Sequence, residues 1–189
     1  MKAIFSIFLI FISALTYSQQ TSDGENKRPF IVESGKIRYK VNSVRGQGTK
    51  ELIFDDWGYR QRITTHISPA DSNDYGRGQH QIKIITEDKN YSVNLKSNVA
   101  LKLDLVKPSR SPLSDARLQV SSETILGYKC MKVKQQYTTA WLYQGIVLKL
   151  EMHDPTSGEL VRREEAIAIE IPYKTSAESF SVPKGVAFY

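Results

Sequence analysis

The sequence predicts a mainly β domain of the β-rich α+β kind: a single curled antiparallel sheet forming an open half-barrel with little helix. Three observations lead there. Apolar residues recur with a period of two rather than 3.6 over most of the chain. Clusters of Gly, Pro, Asp and Asn punctuate these alternating runs at short intervals. One short segment alone, Ser114–Val120, reads as a helix, with Ser114 as its cap and Asp115 in its first turn.

Taken in order, residues 1–18 (MKAIFSIFLIFISALTYS) read as a cleavable signal peptide. Lys2 supplies the positive start, Ile4 to Leu15 the apolar run, and Thr16 and Ser18 the small residues before a cut at Ser18/Gln19. The run of 12 residues falls short of the roughly 20 a bilayer-spanning helix needs. No Cys follows it, so a lipid-anchored precursor is not expected, and no later stretch is long enough to span a membrane. The expected location is periplasmic or secreted. Residues 19–29 form a polar, flexible lead-in, and residues 30–189 one domain.

Within that domain GKIRYKV places Ile37, Tyr39 and Val41 on one face and Lys36, Arg38 and Lys40 on the other, a half-buried strand. A hairpin follows over residues 50–67: Leu52 and Phe54 share a face, Asp55-Asp56-Trp57-Gly58 turn, and Arg60 and Arg62 alternate with Gln61 and Ile63. Ser68–Gly78 is a loop by composition. A second hairpin carries Tyr91, Val93 and Leu95 on one face after a turn at Glu87–Asn90, and Leu101, Leu103 and Leu105 continue the alternation. Lys107–Leu113 is a connector. Farther on, Met131 and Val133 oppose Lys132 and Lys134. Ile146, Leu148, Leu150 and Met152 oppose Lys149, Glu151 and His153, and Ile167, Ile169 and Ile171 oppose Ala168 and Glu170. Roughly eight or nine strands with short links suit one sheet that curls toward a barrel.

The 189 residues carry 26 Lys+Arg against 20 Asp+Glu, a formal charge of +6. Export removes nucleic acid as the natural partner of a basic chain, leaving an anionic envelope surface or a solvated basic face. A single Cys excludes a disulfide framework and multi-cysteine metal sites, so Cys130 is expected as a buried, slowly reacting thiol. His66, His80 and His153 share no metal-ligand spacing. Asp55-Asp56 and Glu164-Glu165 are neighbours on strands or turns and point apart, so neither forms an acid–base pair. With no nucleophile or phosphate-binding motif either, no enzyme activity, cofactor or metal is expected.

The run LGYKCMKVKQQYTTAWLYQGIVLKLEM resembles the GYKC…W-x-Y-x-G-I-x-L-K-x-E-M block of small exported proteins from Bacteroidetes-like Gram-negative bacteria. Those proteins are similar to the LolA/LolB lipoprotein-carrier superfamily. FDDWGYRQR resembles the family's F-D-x-x-G-x-R-x-R hairpin, and SFSVPKGVAF its closing F-x-V-P-x-G segment, so the resemblance spans about residues 34–188. It implies an open antiparallel barrel around a helical plug, with an apolar cavity for acyl chains. The carriers' long N-terminal amphipathic helix is not evident, because Phe30–Val44 reads as a strand, and no lipid-contacting residue of the carriers maps onto the chain.

Two functions are therefore expected. In the first, the protein is a non-enzymatic envelope module holding a lipid, a lipoprotein acyl chain or another apolar ligand. Trp141, Tyr143, Ile146, Leu148, Leu150 and Met152 would line its cavity. In the second, it is a structural or protein-interaction domain of the envelope whose core is filled by its own side chains and whose strand edge meets a protein partner.

Overall fold

The computed structural model describes residues 28–69, 78–114 and 116–189. Alternating sequence becomes alternating burial in β1 (Gly35–Ser43), where Ile37, Tyr39 and Val41 are buried and Arg38 and Lys40 exposed. β2 (Gly46–Asp55) and β3 (Arg60–Pro69) form the first expected hairpin. β2 begins well ahead of Lys50 because Gly48 lacks a Cβ, which would sit 1.8 Å from the His66 carbonyl oxygen. β4 (Gln79–Ile85), β5 (Asn90–Asn94) and β6 (Val99–Lys102) continue the meander. After a connector come β7 (Gln119–Ile125), β8 (Tyr128–Gln135), β9 (Thr138–Tyr143), β10 (Ile146–His153), β11 (Leu160–Glu170) and the two-residue β12 (Ala187–Phe188).

All of these belong to one 12-stranded sheet ordered β12-β6-β5-β4-β3-β2-β1-β11-β10-β9-β8-β7. Every pair is antiparallel except β12 against β6. The sheet does not close on itself, and β12 and β7 are its edges. The half-barrel expected from the sequence is the observed architecture, with more strands than the two-residue period had revealed.

Three hydrophobic clusters hold it. The largest joins Ile37, Tyr39, Leu52 and Phe54 to Ile125, Cys130, Trp141, Ile146 and Leu148, so both halves of the sheet meet in it. A second packs Ile82, Ile84, Val93 and Ala100 under Phe180, carried by a short 3-10 turn at Ala177–Phe180. The third gathers Val133, Ala140 and Leu142. Residues 29–33 strap the end of the half-barrel: Phe30 N donates to Trp57 O (3.0 Å) and Ile31 N to Gln144 O (2.9 Å), tying two hairpin turns together. Gly58, at φ +86°, leaves room for the Phe30 ring, which a Cβ would approach to 2.4 Å. Phe30 in turn meets Phe54 edge to face, 4.7 Å between centroids.

Several expectations are corrected. The helix at Ser114–Val120 is absent: 3-10 turns at Pro112–Ser114 and Ala116–Leu118 lead straight into β7, and Asp115 lies outside the described residues. These turns serve to lay Leu113 and Leu118 over the third cluster, for which single turns suffice. No α-helix occurs among the described residues, so the helical plug implied by the resemblance is replaced by side chains of the sheet. The loop expected at Ser68–Gly78 begins later, because β3 runs through Pro69; residues 70–77 lie outside the described residues, as do the signal peptide and most of the lead-in.

Two bulges overturn simple alternation. In β10 the pairing with β9 slips between Val147 and Lys149, an extra residue that divides the four apolar side chains expected on one side. Ile146 and Leu148 are fully buried in the first cluster, Leu150 packs on the third, and Met152 is 39% exposed. In β11 the register slips where Arg38 and Tyr39 of β1 face Ala168 and Ala166. Ile167 falls in the slip and is exposed, whereas Ile169 and Ile171 pack on the first cluster.

Candidate binding cleft

The six residues expected to line an apolar cavity do not surround one open space. Trp141, Ile146 and Leu148 are buried in the first cluster beside Tyr143, which meets Tyr128 edge to face at 4.8 Å. Trp141 touches a shallow depression of about 470 Å³, where Glu123 accepts its indole N–H at 2.6 Å and Lys132 and Lys149 lie over its ring. Leu150 and Met152 are turned elsewhere by the bulge.

Cys130 is where the sequence placed it: fully buried, its thiol 3.4 Å from the Tyr128 carbonyl oxygen. Burial pushes the thiol pKa up, with the negative charge of Glu123 adding to it, so little thiolate exists at neutral pH. Native protein is expected to react slowly with a thiol reagent and unfolded protein quickly; equal rates in the two states would contradict the burial.

The carboxylate pairs also behave as turn and strand chemistry. Asp55 accepts the Thr175 hydroxyl at 2.7 Å and sits 3.4 Å from Arg60, tying the β2–β3 turn to the C-terminal segment. Glu164 is buried while Glu165 is exposed. Sequence spacing missed one association. Pairing of β3 with β4 sets His66 against His80, rings edge to face at 3.9 Å. Burial, and then the charges of His66 and Lys96, hold the His80 pKa below its usual value. Among the described residues no group of three His, Cys, Asp or Glu could hold a metal ion.

The open space lies across β4, β5 and β6. A cleft of about 840 Å³ is bounded by Val44 and Arg45 in the β1–β2 turn, by Gln79 and Gln81 of β4, Ser92 and Asn94 of β5, and Val99 and Leu101 of β6. Register explains the set: Gln81 faces Asn94, and Asn94 faces Val99, so these side chains share one face. A hydrogen-bonded ladder crosses the floor, with Gln79 Nε2 donating to Gln81 Oε1 at 2.8 Å and Gln81 Nε2 donating to Ser92 Oγ. Leu101 stands 49% exposed in the cleft; Leu103 and Leu105, 38% and 59% exposed, follow it outside the lining, Leu105 in a separate depression with Asp56 and Glu87. The sequence showed their alternation; that β6 ends at Lys102 and leaves them uncovered depends on tertiary packing.

The sequence matches no known family model, and no curated protein matches it as a relative. Solved structures of similar fold do exist. An uncharacterized conserved protein from Thermus thermophilus has a TM-score of 0.58 at 10% identity, over 84% of this chain and 91% of that one. MucB has a TM-score of 0.51 at 14% identity, over 85% of this chain and 60% of MucB. MucB in complex with MucA(peri) also gives 0.51, at 13% identity, over 85% of this chain and 57% of that one. The chain thus spans less than two thirds of MucB, and at these identities the likeness is one of fold.

Proposed function

We propose that the protein is a non-enzymatic binding domain of the cell envelope, exported by its N-terminal signal, that holds a protein partner rather than an acyl chain. The filled interior carries this reading. Ile37, Phe54, Ile146 and Leu148 are at zero exposure within one cluster, so the space that would shelter an apolar guest is taken by the protein's own side chains. The open cleft is instead floored by amides and a hydroxyl, groups that suit a polypeptide better than a hydrocarbon. Support of a weaker kind comes from the MucB structure of similar fold that is bound to MucA(peri).

Native mass spectrometry of protein taken from its own envelope tests this. The expected species is lipid-free and starts at Gln19, and the purified protein binds no fluorescent fatty-acid probe. A stoichiometric co-purifying lipid would overturn the protein-partner reading, and an intact mass that still includes residues 1–18 would overturn export with cleavage.

A further inference from the structure

We propose that the outer edge of β7 takes up an extended, acidic segment of a partner protein as an added strand, with an acidic side chain beside Ser121 held by Lys132. This inference rests on the protein-partner reading and adds a contact surface at the end of the strand order away from the β4–β6 cleft.

β7 presents a backbone ready for pairing. It joins β8 through the two-residue turn Leu126-Gly127, both at positive φ (+49° and +85°), which sets Ile125 against Tyr128. In such a hairpin the closing pair exchanges both backbone hydrogen bonds, and every second pair repeats the exchange. Ile125, Glu123 and Ser121 thus turn their backbone groups toward β8, whereas Ser122 and Thr124 turn N–H and C=O outward. Among the described residues no backbone hydrogen bond reaches those outward groups. All of Gln119–Thr124 is exposed.

The edge is also unguarded. Sheet edges are commonly blunted by lysine or proline. The β7 sequence QVSSETI holds neither, and after one slip at Val120 it stays in step with β8 from Ser121 to Ile125. A row of backbone donors and acceptors matches another backbone, which separates a protein strand from an anionic lipid that nearby lysines alone would equally attract.

Charge beside the edge selects the segment. Register sets Lys132 opposite Ser121, Trp141 opposite Lys132 and Lys149 opposite Trp141, one row across β7–β10. Lys132, Trp141 and Lys149 line the depression of about 470 Å³, together with Val120 and Lys134. Its two carboxylates are already engaged. Glu123 accepts the Trp141 indole N–H at 2.6 Å, and Glu151 pairs with Arg163 at 2.9 Å and Lys149 at 3.7 Å. Among the described residues no ion pair engages Lys132 or Lys134; Lys132 lies 4.9 Å over the Trp141 ring. A strand added to β7 places a side chain beside Ser121, two strand spacings or roughly 9–10 Å from the Lys132 backbone. Serine is too short to fill that gap, so an acidic side chain reaching over it meets the Lys132 ammonium, and a basic one is repelled. Val120, 60% exposed, adds an apolar contact at the same rim.

The test uses full-length mature protein and a short dye-labelled peptide alternating glutamate with valine, read by fluorescence anisotropy. The acidic peptide is expected to bind, more weakly as salt rises, and its lysine–valine counterpart not to bind. The same acidic peptide with N-methylated backbone amides keeps every side chain but cannot join the ladder, and it should not bind. Ser122→Pro removes only an outward N–H, which an edge strand tolerates, so circular dichroism should stay native while binding weakens by about tenfold or more. The methylated peptide decides the same question should that variant fail to fold. Lys132→Glu should weaken binding by about tenfold, with Lys132→Arg near wild type. Binding of the methylated or the lysine peptide, no effect of Lys132→Glu, or preference for anionic vesicles would overturn the proposal. So would a dimer in sedimentation that Ser122→Pro dissolves, since a second copy would then occupy the edge. A co-purifying lipid refutes the protein-partner reading itself, whereas a partner protein that cross-links only at the β4–β6 cleft refutes only this site.

Discussion

Leu148→Glu is expected to abolish the folded state. Leu148 is fully buried in the cluster that joins Ile37 and Phe54 to Cys130, Trp141 and Ile146, and no cation is among those cluster members. An unpaired carboxylate there must either lose its hydration or take up a proton, one of the few single changes that costs more than about 4 kcal/mol. Leu148→Ala, which only leaves a cavity, should cost about 2–5 kcal/mol and remain folded at low temperature. Far-ultraviolet circular dichroism with urea titration reads both. A near-native spectrum for Leu148→Glu, combined with loss of a fatty-acid probe that wild type retains, would restore the lipid reading and place a fluid cavity where a packed core is described.

Lys50→Met is expected to be the next most damaging change. Lys50 donates to Glu164 Oε2 in an ion pair, and Arg162 holds Oε1 of the same carboxylate at 2.7–2.8 Å. Glu164 is 5% exposed, so removing Lys50 leaves a buried charge with Arg162 alone. The cost should be about 3 kcal/mol, at the low end for breaking a buried pair because Arg162 remains. The same group sets an acid limit. Burial alone would raise the Glu164 pKa, but the charge and hydrogen bond of Lys50, with those of Arg162, outweigh it and hold the group below its usual range. A folded pKa below the unfolded one means that this stabilisation is full above the unfolded value, about 4.3, and fades as pH falls through the folded value. Urea midpoints should therefore decline below about pH 4 in wild type, and less steeply in Glu164→Gln. Identical slopes would show that folding does not lower the Glu164 pKa.

Sheet architecture was legible because the two-residue period survives wherever one face is buried, as in Ile37–Tyr39–Val41 and in Leu52–Phe54. What escaped were features set by the partner strand. A bulge is invisible in IVLKLEM, where the apolar pattern reads as one face, because the slip arises from how β9 meets β10. The helix reading at Ser114–Val120 rested on a Ser114 cap and Asp115 in the first turn, with too few residues for a helix to persist without packing. The cleft was hidden for another reason: Gln79, Gln81, Ser92 and Asn94 are ordinary polar residues in sequence, and only cross-strand register sets them side by side. Arg45, at its rim, lies between the strand read over Phe30–Val44 and the hairpin read over residues 50–67, in a stretch assigned to neither.

The strand order carries a consequence for how the chain reaches this state. Strands β1–β6 pair with their sequence neighbours, and so do β7–β11, so each set can zip up as a local meander. The pairing of β1 with β11 joins them, matching Lys36–Ser43 to Arg162–Glu170 across most of the chain, and the two-residue β12 adds a shorter tie back to β6. Loop closure over that distance is slow relative to hairpin formation. Until β11 emerges and docks, one edge of β1 stands unpaired, a template for aggregation in a newly made chain. Lys36, Arg38 and Lys40 punctuate that strand with positive charge, the kind of side chain that discourages edge-to-edge pairing between copies. The basic residues of GKIRYKV thus act first as guards of a half-made sheet.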